Sequence, residues 1–121
     1  MSSLVFLAGS AASALAQENL LAMIKKCESM NDVDLTVMTQ PKHWKERNNM
    51  TIVKFKNPQL EKEFQTAFMK DKDNASNLNY MRENGKTNPQ IITFLSDGRE
   101  LRFIFGEEND KTVVSFFDKY W

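Results

Sequence analysis

The chain has 121 residues, with 16 Lys and Arg balanced by 16 Asp and Glu, one His and one Cys. A formal net charge of zero gives no electrostatic drive toward nucleic acid or an anionic lipid surface. A single cysteine excludes an internal disulfide and any cysteine-rich zinc cluster, and the length suits one hydrophobic core.

From Leu4 to Ala16 the sequence reads LVFLAGSAASALA, apolar or small throughout, with no charge before Glu18. It ends in Ala14-Leu15-Ala16 followed by Gln17, the small-x-small pattern that a signal peptidase pocket admits. The apolar run is too short to span a hydrocarbon layer of about 30 Å as a stable helix. The expectation is a signal peptide over residues 1–16 and a single α+β domain over 17–121, exported to the periplasm or cell surface, with no membrane span. Cys27 follows Lys25-Lys26 in a charged stretch, too far from the apolar run to be a lipidation site.

Between Gln17 and Met30, Leu20, Leu21, Ile24 and Cys27 recur at the three- and four-residue spacing of one helix face. Val33, Leu35 and Val37 alternate with Asp34, Thr36 and Met38, the two-residue period of a strand, which Pro41 ends. A second strand is expected over Met50–Lys56, with Thr51, Val53 and Phe55 on one side. Asn57-Pro58 then reads as a helix start, because Asn caps orphan amides and Pro at the first position sacrifices no hydrogen bond. Leu60, Phe64, Ala67 and Phe68 form its apolar stripe, and the helix is expected to fade across Lys70–Asn74.

Leu78–Met81 suggests a short strand and Asn84-Gly85 a turn. Gln90–Leu95 is a strand leading into Asp97-Gly98, the pair favoured in two-residue hairpins of the primed type. Folding about that turn pairs Phe94 with Leu101 and Ile92 with Phe103 on one face. The other face pairs Leu95 with Glu100, Thr93 with Arg102 and Ile91 with Ile104. A turn is expected over Gly106–Asp110 and a last strand over Thr112–Phe117. The order is α-β-β-α-β-β-β-β with short connections, which demand antiparallel neighbours. The expected fold is an α+β two-layer sandwich, an antiparallel sheet with two helices packed on one face.

Recognisable catalytic patterns are missing. There is no Gly-x-Ser-x-Gly elbow, no glycine-rich phosphate loop and no spacing that gathers metal ligands around His43. No cofactor or metal site is therefore expected. Asp71-Lys72-Asp73-Asn74 lacks the glycine and distal Glu of a calcium loop and reads as a solvated helix end. Cys27 and His43 could form a nucleophile–base pair, which would make the chain a small hydrolase or thiol enzyme. Cys27 fits better as a small hydrophobe completing the Leu20–Ile24 stripe.

The most unusual stretch is Lys42-His43-Trp44-Lys45-Glu46-Arg47, which places basic groups beside an indole between two strands. Such a loop can stack on a sugar ring or grip an acidic partner, or simply fold over the sheet edge. Phe116, Phe117, Tyr120 and Trp121 form a second aromatic group; burial of a terminal strand accounts for the two Phe but less readily for Tyr120 and Trp121. The expected partner-binding residues are therefore His43, Trp44, Lys45, Arg47, Tyr120 and Trp121.

Taken together, the Ala-x-Ala-Gln leader, a short helix, a strand pair, a helix running through Phe68-Met69-Lys70-Asp71-Lys72-Asp73-Asn74-Ala75 and a strand meander resemble small exported proteins of gut Bacteroides and their relatives. These form single-domain families of unknown function. The resemblance implies a periplasmic or surface location in a Gram-negative anaerobe and supplies no catalytic residues. The functional expectation is a non-catalytic module that holds an unknown protein, peptide or glycan and does not bind nucleic acid. A homodimer formed edge to edge through the last strand is a further possibility.

Overall fold

The computed structural model describes residues 18–39 and 47–121, Arg47 by its backbone alone. The expected leader over 1–16 and the residues His43, Trp44 and Lys45 lie outside the described residues. Two helices and six strands follow in the expected order. Helix α1 spans Glu18–Glu28, β1 Asp34–Thr39, β2 Arg47–Phe55 and α2 Pro58–Asp71, which runs into a 3-10 turn at Lys72–Asn74. The meander continues with β3 at Asn77–Glu83, β4 at Lys86–Ser96, β5 at Arg99–Glu108 and β6 at Lys111–Tyr120.

Each helix forms for local reasons and is held by one buried stripe. The Oδ1 of Asn57 accepts the backbone N–H of Gln59 at 3.0 Å and of Leu60 at 3.1 Å, satisfying two amides that the helix itself cannot. Leu60, Phe64, Ala67 and Phe68 are the buried apolar residues of α2, as the spacing predicts. In α1 the buried set is Leu20, Met23, Ile24 and Cys27; Met23 takes the place expected for Leu21, which is only partly buried.

All six strands pair antiparallel in the order β1-β2-β6-β5-β4-β3. The β4–β5 hairpin has the register expected about Asp97-Gly98, with Phe94 opposite Leu101 and Ile92 opposite Phe103. Val53, Phe55, Ile92, Phe94, Leu101, Phe103 and Val114 are buried on one face of the sheet, together with the helix stripes. Phe64 stacks on Phe55 at 5.6 Å and meets Phe105 edge-on at 6.3 Å, while Phe68 meets Phe105 and Tyr80 at 6.0 Å each. These ring contacts join α2 to β2, β3 and β5, so the helices cover one side of the sheet.

Several expectations are corrected. The last strand is not an edge: β6 lies between β2 and β5 and is paired along both sides, so edge-to-edge dimerisation through it is sterically closed. The sheet edges are β1 and β3. Strand β5 continues through Gly106 to Glu108, and the reversal falls at Asn109 and Asp110, whose φ values of 52° and 67° are ones that Asn and Asp tolerate best among side-chain-bearing residues. Phe116 and Phe117 face opposite sides of the sheet: Phe116 stacks on Phe103 at 4.7 Å within the core, whereas Phe117 stands half-buried on the side away from the helices.

Candidate binding site

The sheet's topology brings three chain segments to one end. Arg47, the first residue of β2, lies opposite Tyr120 near the end of β6, and Tyr120 in turn lies opposite Arg99 at the start of β5. The 97–98 turn sits beside them, and the backbone N–H of Trp121 donates to the carbonyl of Gly98 at 3.1 Å. Gly98 adopts φ +76°, and a Cβ there would come within 3.3 Å of the Trp121 carbonyl oxygen, so both the turn and this closure favour glycine.

A polar cluster occupies this end. Arg99 donates from Nε and Nη2 to the two carboxylate oxygens of Asp118, each at 3.0 Å, in the bidentate geometry that suits a guanidinium. The Tyr120 hydroxyl donates to Asp118 Oδ2 at 3.2 Å, and the guanidinium carbon of Arg99 stands 5.0 Å from the centre of the Tyr120 ring. The hydrogen bond to Asp118 holds the Arg99 pKa still further above its ordinary value, so the guanidinium stays charged throughout the working range. Tyr120 and Trp121 remain 38% and 58% exposed. The arrangement offers the Tyr120 ring beside a guanidinium held in place by a carboxylate, with the exposed Trp121 next in the chain. This is the chemistry that stacks on a sugar or peptide plane and donates to its oxygens.

Of the six residues expected from sequence, the structure places Tyr120 and Trp121 in this cluster and the Arg47 backbone next to it. His43, Trp44 and Lys45 lie two to four residues upstream of Arg47 in the chain, outside the described residues. Arg99, Asp118 and the Gly98 carbonyl were not anticipated. The Asp97-Gly98 turn signal located Arg99 in its hairpin, but nothing local showed that the end of β6 would lie alongside.

Cys27 is placed elsewhere. It is 1% exposed, and burial pushes its thiol up to about 11, with smaller effects from Lys26, Asp32 and Glu63. A group titrating there is almost wholly protonated at neutral pH, whereas the nucleophilic form of a cysteine is the thiolate. Among the described residues no cluster of three or more His, Cys, Asp or Glu could hold a metal ion. A separate cleft of about 120 Å³ opens where β4 leaves β5, floored by Phe64, Pro89 and Phe105. A bulge lies beside it. The β3–β4 register steps from Asn79–Ile91 to Tyr80–Pro89, leaving Gln90 without a partner on β3.

The family model for a domain of unknown function, DUF5024, matches residues 17–116. Neither a curated protein nor a solved structure matches the chain.

Proposed function

The chain belongs to the DUF5024 family, a domain of unknown function, and from that premise we propose that it is an exported, non-catalytic binding module. It works in the periplasm or at the cell surface of a Gram-negative anaerobe related to gut Bacteroides. Its ligand is a protein, peptide or glycan, held at the sheet end where Arg99, Asp118, Tyr120 and Trp121 meet the start of β2. The observation that carries this reading is the meeting of the exposed Tyr120 with an oriented Arg–Asp pair, beside the turn on which the backbone of the exposed Trp121 closes. The upstream His43, Trp44 and Lys45 and the adjoining Arg47 would complete the grip.

Export is supported by the Leu4–Ala16 run and its Ala-Leu-Ala end, and by the family match beginning at Gln17, the first residue after the proposed cleavage point. Among the described residues no helix is long and apolar enough to cross a membrane.

Two measurements test the reading. Amino-terminal sequencing of the protein from fractionated cells should begin at Gln17 in the periplasmic or surface fraction; an intact Met1 chain resident in cytosol would refute export. For binding, immobilised protein should retain a peptide or glycan from an extract of the native envelope. Arg99→Ala and Trp44→Ala should each weaken that retention by about tenfold or more while leaving the circular dichroism spectrum unchanged. Retention unaffected by both substitutions would remove the sheet end as the site.

A further inference from the structure

The helices cover one side of the sheet, and the other side carries a largely apolar band interrupted by Ser115 and Arg102. The register defines it. Met38 lies opposite Met50 and Met50 opposite Phe117, while Ile52, Ser115, Ile104 and Ile91 form the adjoining row across four strands. Met38 is 46% exposed, Ile91 37% and Leu95 55%, and Met50, Ile52, Ile104 and Phe117 are each half-buried, on the side of the sheet away from both described helices. Arg102 rises beside Phe117 and is tied to Glu100 at 2.8 Å. Charged residues border the band at both ends, with Glu100 and Lys119 on one side and Lys54 and Glu108 on the other.

The geometry points to a second copy of this chain as the occupant of that face, packed sheet on sheet across a two-fold axis. The area supports it. The five strands that carry the band, some six residues tall, give a footprint on the order of 500 Å², and the outer face of β3 beside them brings it nearer the roughly 800 Å² per partner of a standard interface. The charges support it too. Rim charges are paired within the chain, Lys54 with Glu108 at 3.1 Å and Glu100 with Arg102 at 2.8 Å, so a second copy would bury no lone charge from these pairs. An apolar centre with a mixed-charge rim is the anatomy of a protein interface, and aligned sheets pack about 10 Å apart with interdigitating side chains. The face is distinct from the sheet end proposed to bind ligand, so each can fail without the other.

Sedimentation equilibrium of the full chain tests it. The mass should rise with concentration from 14.0 kDa toward twice that value. Phe117→Glu, at the centre of the band, should weaken association by roughly 30-fold or more, the loss expected of a central aromatic anchor. Val37→Lys lies on the opposite face of β1 and should leave association unchanged. In the unmodified protein, peroxide oxidation of Met38 and Met50 should slow as concentration rises, with that of Met69 on α2 unaffected. A monomer up to about 1 mM would overturn the inference, because an interface of this size should hold more tightly than that. So would an association that Val37→Lys abolishes, or one that forms without protecting Met38 and Met50.

Discussion

Asp71 closes α2, yet its carboxylate serves the other helix. Its Oδ1 accepts the side-chain N–H of Asn19 at 2.7 Å and its Oδ2 accepts the backbone N–H of Leu20 at 2.8 Å, so it caps the first turn of α1 from 51 residues away in sequence. An anion suits a helix N-terminus, but this one is only 1% exposed. Burial raises its pKa above the ordinary value, and the hydrogen bonds from Asn19 and Leu20 offset only part of that rise. A carboxyl that holds its proton more tightly in the folded chain contributes stability that is full below its unfolded pKa of about 3.9 and is lost as pH rises through the folded value. The stability of the natural chain relative to Asp71→Asn should therefore increase as pH is lowered from 7 toward 4. Urea unfolding of both proteins across that range would check it, and a gap that moves the other way would mean the charged cap outweighs burial.

At the scale of elements, the start of α2 and the hairpins can be explained by short stretches of sequence. Asn57 supplies both cap hydrogen bonds, so Asn57→Ala should cost about 1 kcal/mol and Asn57→Asp should retain most of the stability, measured by chemical denaturation. The β4–β5 register was readable because a primed two-residue turn dictates which residues face each other. Element ends were less readable. Gly106 suggested a break, but β5 passes through it because β6 pairs with it as far as Glu108, and a ladder of neighbours outweighs one glycine. Strand β3 is a full seven residues for the same reason: pairing with β4 extends it beyond the short apolar run visible in its own sequence. The candidate site was legible in part. Tyr120 and Trp121 stood out as aromatic residues that burial did not explain, whereas Arg99 and Asp118 resemble any other surface charges until β5 and β6 are placed side by side.

Across the whole molecule, α2 is the element that ties the layers together. Phe68 is fully buried and meets rings from β3 and β5. Phe68→Ala should cost about 3–5 kcal/mol, a large share of the roughly 5–15 kcal/mol that holds a typical domain, and differential scanning calorimetry should show a correspondingly lower melting temperature. The periodicity of apolar side chains, the Asn-Pro cap and the Asp-Gly turn were enough to establish two amphipathic helices, an antiparallel sheet and the buried face of the β4–β5 hairpin, whereas the alternation in β1 suggested a half-buried strand that is exposed along its whole length at the sheet edge. Those features depend on near neighbours, whose spacing any reader of the chain can count. The strand order, with β6 inserted between β2 and β5, emerged only in three dimensions, as did the cap that Asp71 lends to α1 and the meeting of Arg99, Asp118 and Tyr120. These rest on pairings between residues some twenty to seventy positions apart, and which distant partners meet is decided by burying the helix stripes and the sheet face together.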